Sequence, residues 1–244
     1  MDGPDDRRDG DAQVLSASAN NSTAQQDLEA AKKDFDIPPA TALELLYLNI
    51  EMLVKLAEDQ GLPVDRNSVS LSGSRRDSIS SGEVTPIRVT ELHCSPAGYV
   101  GAGHDFVQQS VLSKRFVSKR EPPINMKDYL QRLHRYCPMS TAVYIAASVY
   151  ITRMAVVEKV VSVNSRNMHR LVLASLRVAM KSLEDLSYPH RRVARVGGVS
   201  EGELSKLEIS FCFLADFELR VDLQMLVDQV KYLERSIGIE KDCS

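Results

Sequence analysis

The residues able to do chemistry are scattered along this chain. The five histidines are His93, His104, His134, His169 and His190, and the four cysteines are Cys94, Cys137, Cys212 and Cys243. His93 and Cys94 are adjacent, but nothing near them completes a metal-ligand set, and no cysteine sits in a CxxC pair. The histidines are read as surface or capping residues. The cysteines are read as reduced thiols of an intracellular protein, cytoplasmic or nuclear. GxxxxGK[ST], a GxGxxG after a strand, HExxH and GxSxG are all absent. The chain is therefore expected not to be an enzyme, and no catalytic residue, cofactor, metal or small-molecule substrate is expected.

Three features remain. Gly197-Gly198 stands beside Arg191, Arg192 and Arg195. A helix stop explains the glycines, and the arginines make either a solvated face or one that takes phosphate or an acidic segment. Ser78 follows Arg75-Arg76-Asp77, which suits a basophilic kinase, and Thr85 precedes Pro86-Ile87-Arg88, which suits a proline-directed one. Both are candidate phosphosites. Finally, Lys181 (in RVAMKSLED) and Glu208 (in SKLEISFCF) are charges set among apolar neighbours. Their spacing alone reads as the solvated ends of buried helices.

The elements that must carry these residues are helical. Residues 1–38 are polar and acidic and are expected to be a disordered tail. Residues 40–60 place Leu43, Leu46, Ile50, Leu53, Val54 and Ala57 at spacings of three and four, an apolar stripe that either packs on the later domain or docks on a partner. Thr41 and Glu44 have capping-box spacing. Residues 61–121 read as a flexible Ser/Gly-rich linker and an unassigned segment, closed by Glu121-Pro122-Pro123. From 122 to 236 the pattern predicts helices over 125–136, 140–158, 164–185, 188–196, 200–216 and 221–235. The second and third are apolar on nearly every side and so belong at the centre. Their most apolar segments, 141–151 and 171–180, are short and carry Arg153, Arg170 and Arg177 within or beside them. Ser200 and Glu203 form a second capping-box pair.

Of 244 residues, 43% are hydrophobic and 26% charged, with formal net charge -3. That charge argues against nucleic-acid binding. The N-terminus lacks a secretory pattern and no run of 18 apolar residues occurs, so no membrane association is expected.

Two stretches carry a resemblance. One is Met168-His-Arg-Leu-Val-Leu-Ala-Ser-Leu-Arg-Val-Ala-Met-Lys181. The other is Arg195-Val-Gly-Gly-Val-Ser200-Glu-Gly-Glu-Leu-Ser-Lys-Leu-Glu208, running on to Phe217-Glu-Leu219. They are similar to the VHRLL…VAAKFLDD and KVGGVS…ELN.LE..FL patterns of the phosphate-signalling (Pho-type) cyclins of yeast and their plant U- and P-type and protist relatives. The likeness covers about residues 120–235. It implies an all-α chain: a five-helix cyclin-box fold with extra helices N- and C-terminal to it. The implied role is a regulatory subunit that binds and activates a cyclin-dependent Ser/Thr protein kinase as a heterodimer, in cell-cycle or nutrient signalling control. A cyclin-fold adaptor in transcription or scaffolding without a kinase is the alternative. Carried over by position, Lys181 donates to kinase backbone carbonyls, Glu208 accepts from backbone amides, and Ile209, Cys212, Phe217 and Leu219 make apolar kinase contacts. Several positions depart from the family pattern. Ser182 stands where an aromatic often follows the Lys, and Ile151-Thr152-Arg153 replaces LDR. Tyr188-Pro-His-Arg replaces a YNN-like stretch. The substrate-docking patch of mitotic cyclins looks absent.

Overall fold

The computed structural model describes residues 29, 33, 35–59 and 109–242, with the side chains of 237 and 239–242 left out. Ser78 and Thr85, the 1–28 part of the acidic tail and most of the linker stretch lie outside the described residues, as do His93, His104, Cys94 and Cys243. The described residues contain helices and no strand. Besides a helical stretch at 109–114, they are in chain order α1 (Pro39–Asp59), α2 (Met126–Tyr136), α3 (Thr141–Thr152), α4 (Met168–Leu183), α5 (His190–Gly197), α6 (Glu201–Leu214) and α7 (Leu223–Asp242). A π-helical turn, Arg153–Val157, extends α3.

The two helices apolar all round are the centre. Val143, Tyr144, Ile145, Ala146, Ala147, Tyr150 and Ile151 of α3 are fully buried, and α4 buries all of Leu171–Met180. Helix α3 packs on α1, α4 and α7, and α4 packs on α6. Five of the helices, α2 to α6, form the five-helix unit that the resemblance implies, with α1 and α7 added at the two ends.

Helix α1 resolves the choice its stripe left open. It lies across α3 and touches α2 and α7, burying Ala42, Leu43, Leu45, Leu46, Ile50 and Leu53. Its start differs from the expected capping box. Pro39 is the first helical residue, a position where its missing N–H costs nothing. Thr41 thus falls inside the helix, and Glu44 pairs instead with Lys127 of α2 at 3.1 Å. Asn49 is also fully buried on α1. Its Nδ2 donates to Thr152 Oγ1 at 3.0 Å, and Gln229 Nε2 of α7 donates to Ser148 Oγ at 2.9 Å. These amides and hydroxyls tie α1 and α7 to α3 with bonds no apolar side chain could supply.

The boundary drawn at residue 122 is also not where packing begins. Leu112 and Phe116, from the segment read as linker and unassigned, are in the core. Arg166 fixes that segment by donating to Ser118 O and Lys119 O. Helix α4 begins at Met168 rather than 164. Asn167 Oδ1 accepts from Asn164 N and Asn164 Oδ1 from Arg166 N, so the side chains hold a turn there. At α6 only half of the capping box forms. Ser200 Oγ accepts from Glu203 N, while the Glu203 carboxylate turns to Arg170 of α4.

His169 is buried, against the surface reading of the histidines. Its Nε2 lies 2.9 Å from Ile124 O, and its ring meets Tyr129 edge-on at 5.0 Å. Burial holds the imidazole below the ordinary value of 6.5. The unfolded chain therefore takes up this proton first as pH falls, so the native state loses stability below pH 6.5. Urea titrations are expected to show a lower midpoint at acid pH than at pH ~7.5, and His169→Gln to shrink that difference.

Candidate functional site

The C-terminal half of α4, the outer face of α6 and the loop after α6 enclose a hollow of about 350 Å³. Lys181, Glu208, Ile209, Cys212, Phe217 and Leu219, the six residues singled out in the sequence, all line it. On α6 the spacing 208, 209, 212 puts Glu208, Ile209 and Cys212 along one edge. Lys181 stands opposite, in the last turn of α4, where a cation is favoured by the helix dipole. Ile209 and Phe217 are 47% and 51% exposed, so an apolar rim faces solvent around an ion pair.

Glu208 is not a solvated helix end, because it is only 8% exposed. Its Oε2 receives a hydrogen bond from Lys181 Nζ. Its Oε1 lies 3.5 Å from Arg177 Nε and 3.2 Å from His190 Nδ1. Arg177 is buried as well, and its Nη1 donates to Tyr188 O at 2.8 Å. One carboxylate therefore faces two cations and a histidine. The inner one, Arg177, is walled off from water, and the outer one, Lys181, has a side chain 47% exposed. Arg177 and His190 were missed in the sequence. The one signal was an arginine four residues before Lys181, one helical turn away, inside an otherwise apolar helix.

The loop after α6 is held in a conformation the chain does not favour. Asp216 and Phe217 both have positive φ, 47° and 57°. Tyr150 Oη of α3 donates to Leu219 O at 2.6 Å and Arg153 donates to Glu218 O. Phe217 is thereby turned outward against the edge of Phe213, with ring centroids 5.1 Å apart. Phe213 and Val178 also line the hollow, beyond the six residues expected. Ser182, where the family pattern has an aromatic, donates to Val178 O, and the Phe213–Phe217 pair supplies aromatic surface in the same hollow.

Burial pushes the Cys212 thiol above the ordinary value of 9.0, and Glu208 adds to the shift while Lys181 opposes it. Little thiolate forms at neutral pH. Iodoacetamide labelling of Cys212, followed by peptide mass spectrometry, is expected to be slower than that of a free thiol and to keep accelerating past pH 9.0.

Gly197-Gly198 is the helix stop that the sequence suggests. Gly198 has φ 74°, and Val199 N donates to Ala194 O at 3.0 Å. Gly197 is required by packing, because a Cβ there would come within 2.6 Å of Leu173 on α4. Among the described residues no cluster suits a metal ion, and no helix is long and apolar enough to cross a membrane.

The fold and this hollow define a cyclin box with helices added at both ends. The cyclin family model matches residues 13–219, and the chain belongs to the cyclin family. The matched span starts far N-terminal to residue 122. The chain is 32% identical over 140 residues to Cyclin-U4-3 of Arabidopsis thaliana, covering 57% of this chain and 64% of that one. It is 37% identical over 114 residues to Cyclin-P1-1 of Oryza sativa subsp. japonica, covering 47% and 43%. It is 36% identical over 112 residues to the PHO85 cyclin-like protein psl1 of Schizosaccharomyces pombe, covering 46% of each. The chain thus spans less than two thirds of the length of each of these relatives.

Proposed function

We propose that the chain is a non-catalytic regulatory subunit that binds and activates a cyclin-dependent Ser/Thr protein kinase, in cell-cycle or nutrient signalling control, phosphate signalling included. The observation that carries this reading is the hollow between α4 and α6, where a buried carboxylate and a half-exposed lysine sit inside an apolar rim. A lysine offers only donors and a carboxylate only acceptors, so the pair can fix a carbonyl and an amide of one backbone segment at once. Ile209, Cys212, Phe217 and Leu219 exclude water around those bonds and so strengthen them. Family membership supports the kinase as the partner, and the name of the psl1 relative points the same way.

In the free chain Lys181 and Glu208 satisfy each other. Docking exchanges that bond for two to the partner. Lys181 swings outward, while Glu208 stays anchored by Arg177. Pressing on the kinase helix that bears the glutamate of the catalytic Lys–Glu pair then completes the kinase site, and the kinase performs phosphoryl transfer.

The test is affinity capture of the tagged chain from the cells that express it, with bound proteins identified and a Ser/Thr-Pro peptide assayed for phosphorylation. A cyclin-dependent kinase that co-purifies, with activity that rises as the chain is added back, is the expected result. Capture that yields no such kinase would overturn the reading.

A further inference from the structure

A second hollow, of about 710 Å³, opens between α2 and α5 and shares no lining residue with the first. Arg132, Arg191, Arg192 and Arg195 line it, together with Tyr136 and two apolar neighbours, and no carboxylate does. Four guanidinium groups around one opening is an unusual concentration in a chain whose net charge is -3. Arg192 has a structural task. Its Nε and Nη2 donate to Tyr136 O at 2.9 and 2.5 Å, and it lies over the Tyr188 ring. The guanidinium groups of the other three donate to no backbone carbonyl among the described residues. Arg132 has a buried Nε with no hydrogen-bond partner, and its guanidinium is 5.3 Å from the Tyr129 ring centre. The guanidinium of Arg195 has no hydrogen bond or ion pair among the described residues, while its backbone carbonyl accepts from Gly198 N at 3.2 Å. Arg191 reaches only to 4.0 Å from Glu201 and is 77% exposed.

Arg191 and Arg195 are one turn apart on α5, so their charges repel each other. The dipole at the C-terminus of α5 favours Arg195 but gives no reason for the other two. An anion in the hollow would satisfy all three. Guanidinium groups are planar forks of donors, and a dianionic phosphate has three oxygens to receive them, where a carboxylate has two. The wall of Tyr136 and Val196 gives neighbouring residues of a peptide a surface that free phosphate would not use.

We propose that this hollow binds a phosphorylated serine or threonine segment of a partner protein, with Arg132, Arg191 and Arg195 holding the phosphate and Arg192 fixing the wall. The site goes beyond the kinase-binding reading and does not depend on it.

The test uses the full chain without kinase and a fluorescein-labelled Ala/Gly peptide carrying one phosphothreonine followed by proline, read by anisotropy. The phosphopeptide is expected to bind at least about tenfold more tightly than its unphosphorylated twin. Arg132→Gln/Arg195→Gln is expected to lose about tenfold in affinity with an unchanged melting midpoint, and Arg191→Glu to lose at least as much. Lys181→Ala is expected to bind the peptide as the wild type does, so failure of the kinase reading would leave this result intact. Equal binding of the two peptides, or wild-type affinity in the arginine variants, would overturn the proposal. So would displacement of the peptide by equimolar inorganic phosphate, by phosphatidylserine vesicles or by a single-stranded oligonucleotide, since each would show a general anion surface.

Discussion

Glu208→Ala is expected to lower the stability of the free chain by about 3 kcal/mol, besides removing a contact to the partner. Arg177 explains the size. Its side chain is 5% exposed, and the carboxylate of Glu208 is its ion-pair partner. Removing Glu208 leaves a guanidinium in the interior with the carbonyl of Tyr188 as its remaining oxygen partner. Lys181 is half exposed, so water replaces its lost bond and its share of the effect is small. The double variant Arg177→Met/Glu208→Leu removes both buried charges and should recover much of the loss, because it is the uncompensated charge that is costly. Urea unfolding of the single and double variants measures this directly. Equal stability of wild type and Glu208→Ala would show that Arg177 does not depend on this carboxylate.

Ile50→Ala is expected to cost about 2–5 kcal/mol, the range for emptying a fully buried aliphatic site. Ile50 is 0% exposed and belongs to the face of α1 that crosses α3. An amphipathic helix that merely docked on a partner would lose nothing in the isolated chain when this residue is truncated. A fall in the urea midpoint at unchanged slope therefore marks α1 as part of the core. An unchanged midpoint would mean that α1 does not cover α3 in solution.

The two helices at the centre were legible because their residues are apolar on all sides, and burial is then the only stable placement. Helix ends were legible where a side chain has one local task, as with Asn125 accepting from Asp128 N or Gly198 adopting a positive φ. The ends beside Glu44 and Glu203 were also placed within a residue, but the capping bonds expected of these two side chains do not form, because each has a better partner far away. Glu44 and Glu203 have capping-box spacing, yet they pair with Lys127 and Arg170 on other helices, which periodicity cannot see. Leu112 and Phe116 were missed because two buried residues in a short segment make no stripe.

At the candidate site, the resemblance selected Lys181 and Glu208, and spacing alone would have left them as helix ends. Their immediate environment came only from tertiary packing. Arg177 is one turn before Lys181 in the sequence, but His190 reaches Glu208 from a different helix. The loop that turns Phe217 outward depends on Tyr150, 67 residues earlier.

The most direct test of the kinase-binding account is the affinity of the purified chain for the captured cyclin-dependent kinase, wild type against Lys181→Ala/Phe217→Ala, by calorimetry. Both side chains are about half exposed, so the melting midpoint should not move. The account predicts a loss of about a hundredfold in affinity, as expected when a desolvated donor and an aromatic anchor are removed together. Wild-type affinity in that folded variant would contradict it and place the kinase contact elsewhere on the molecule.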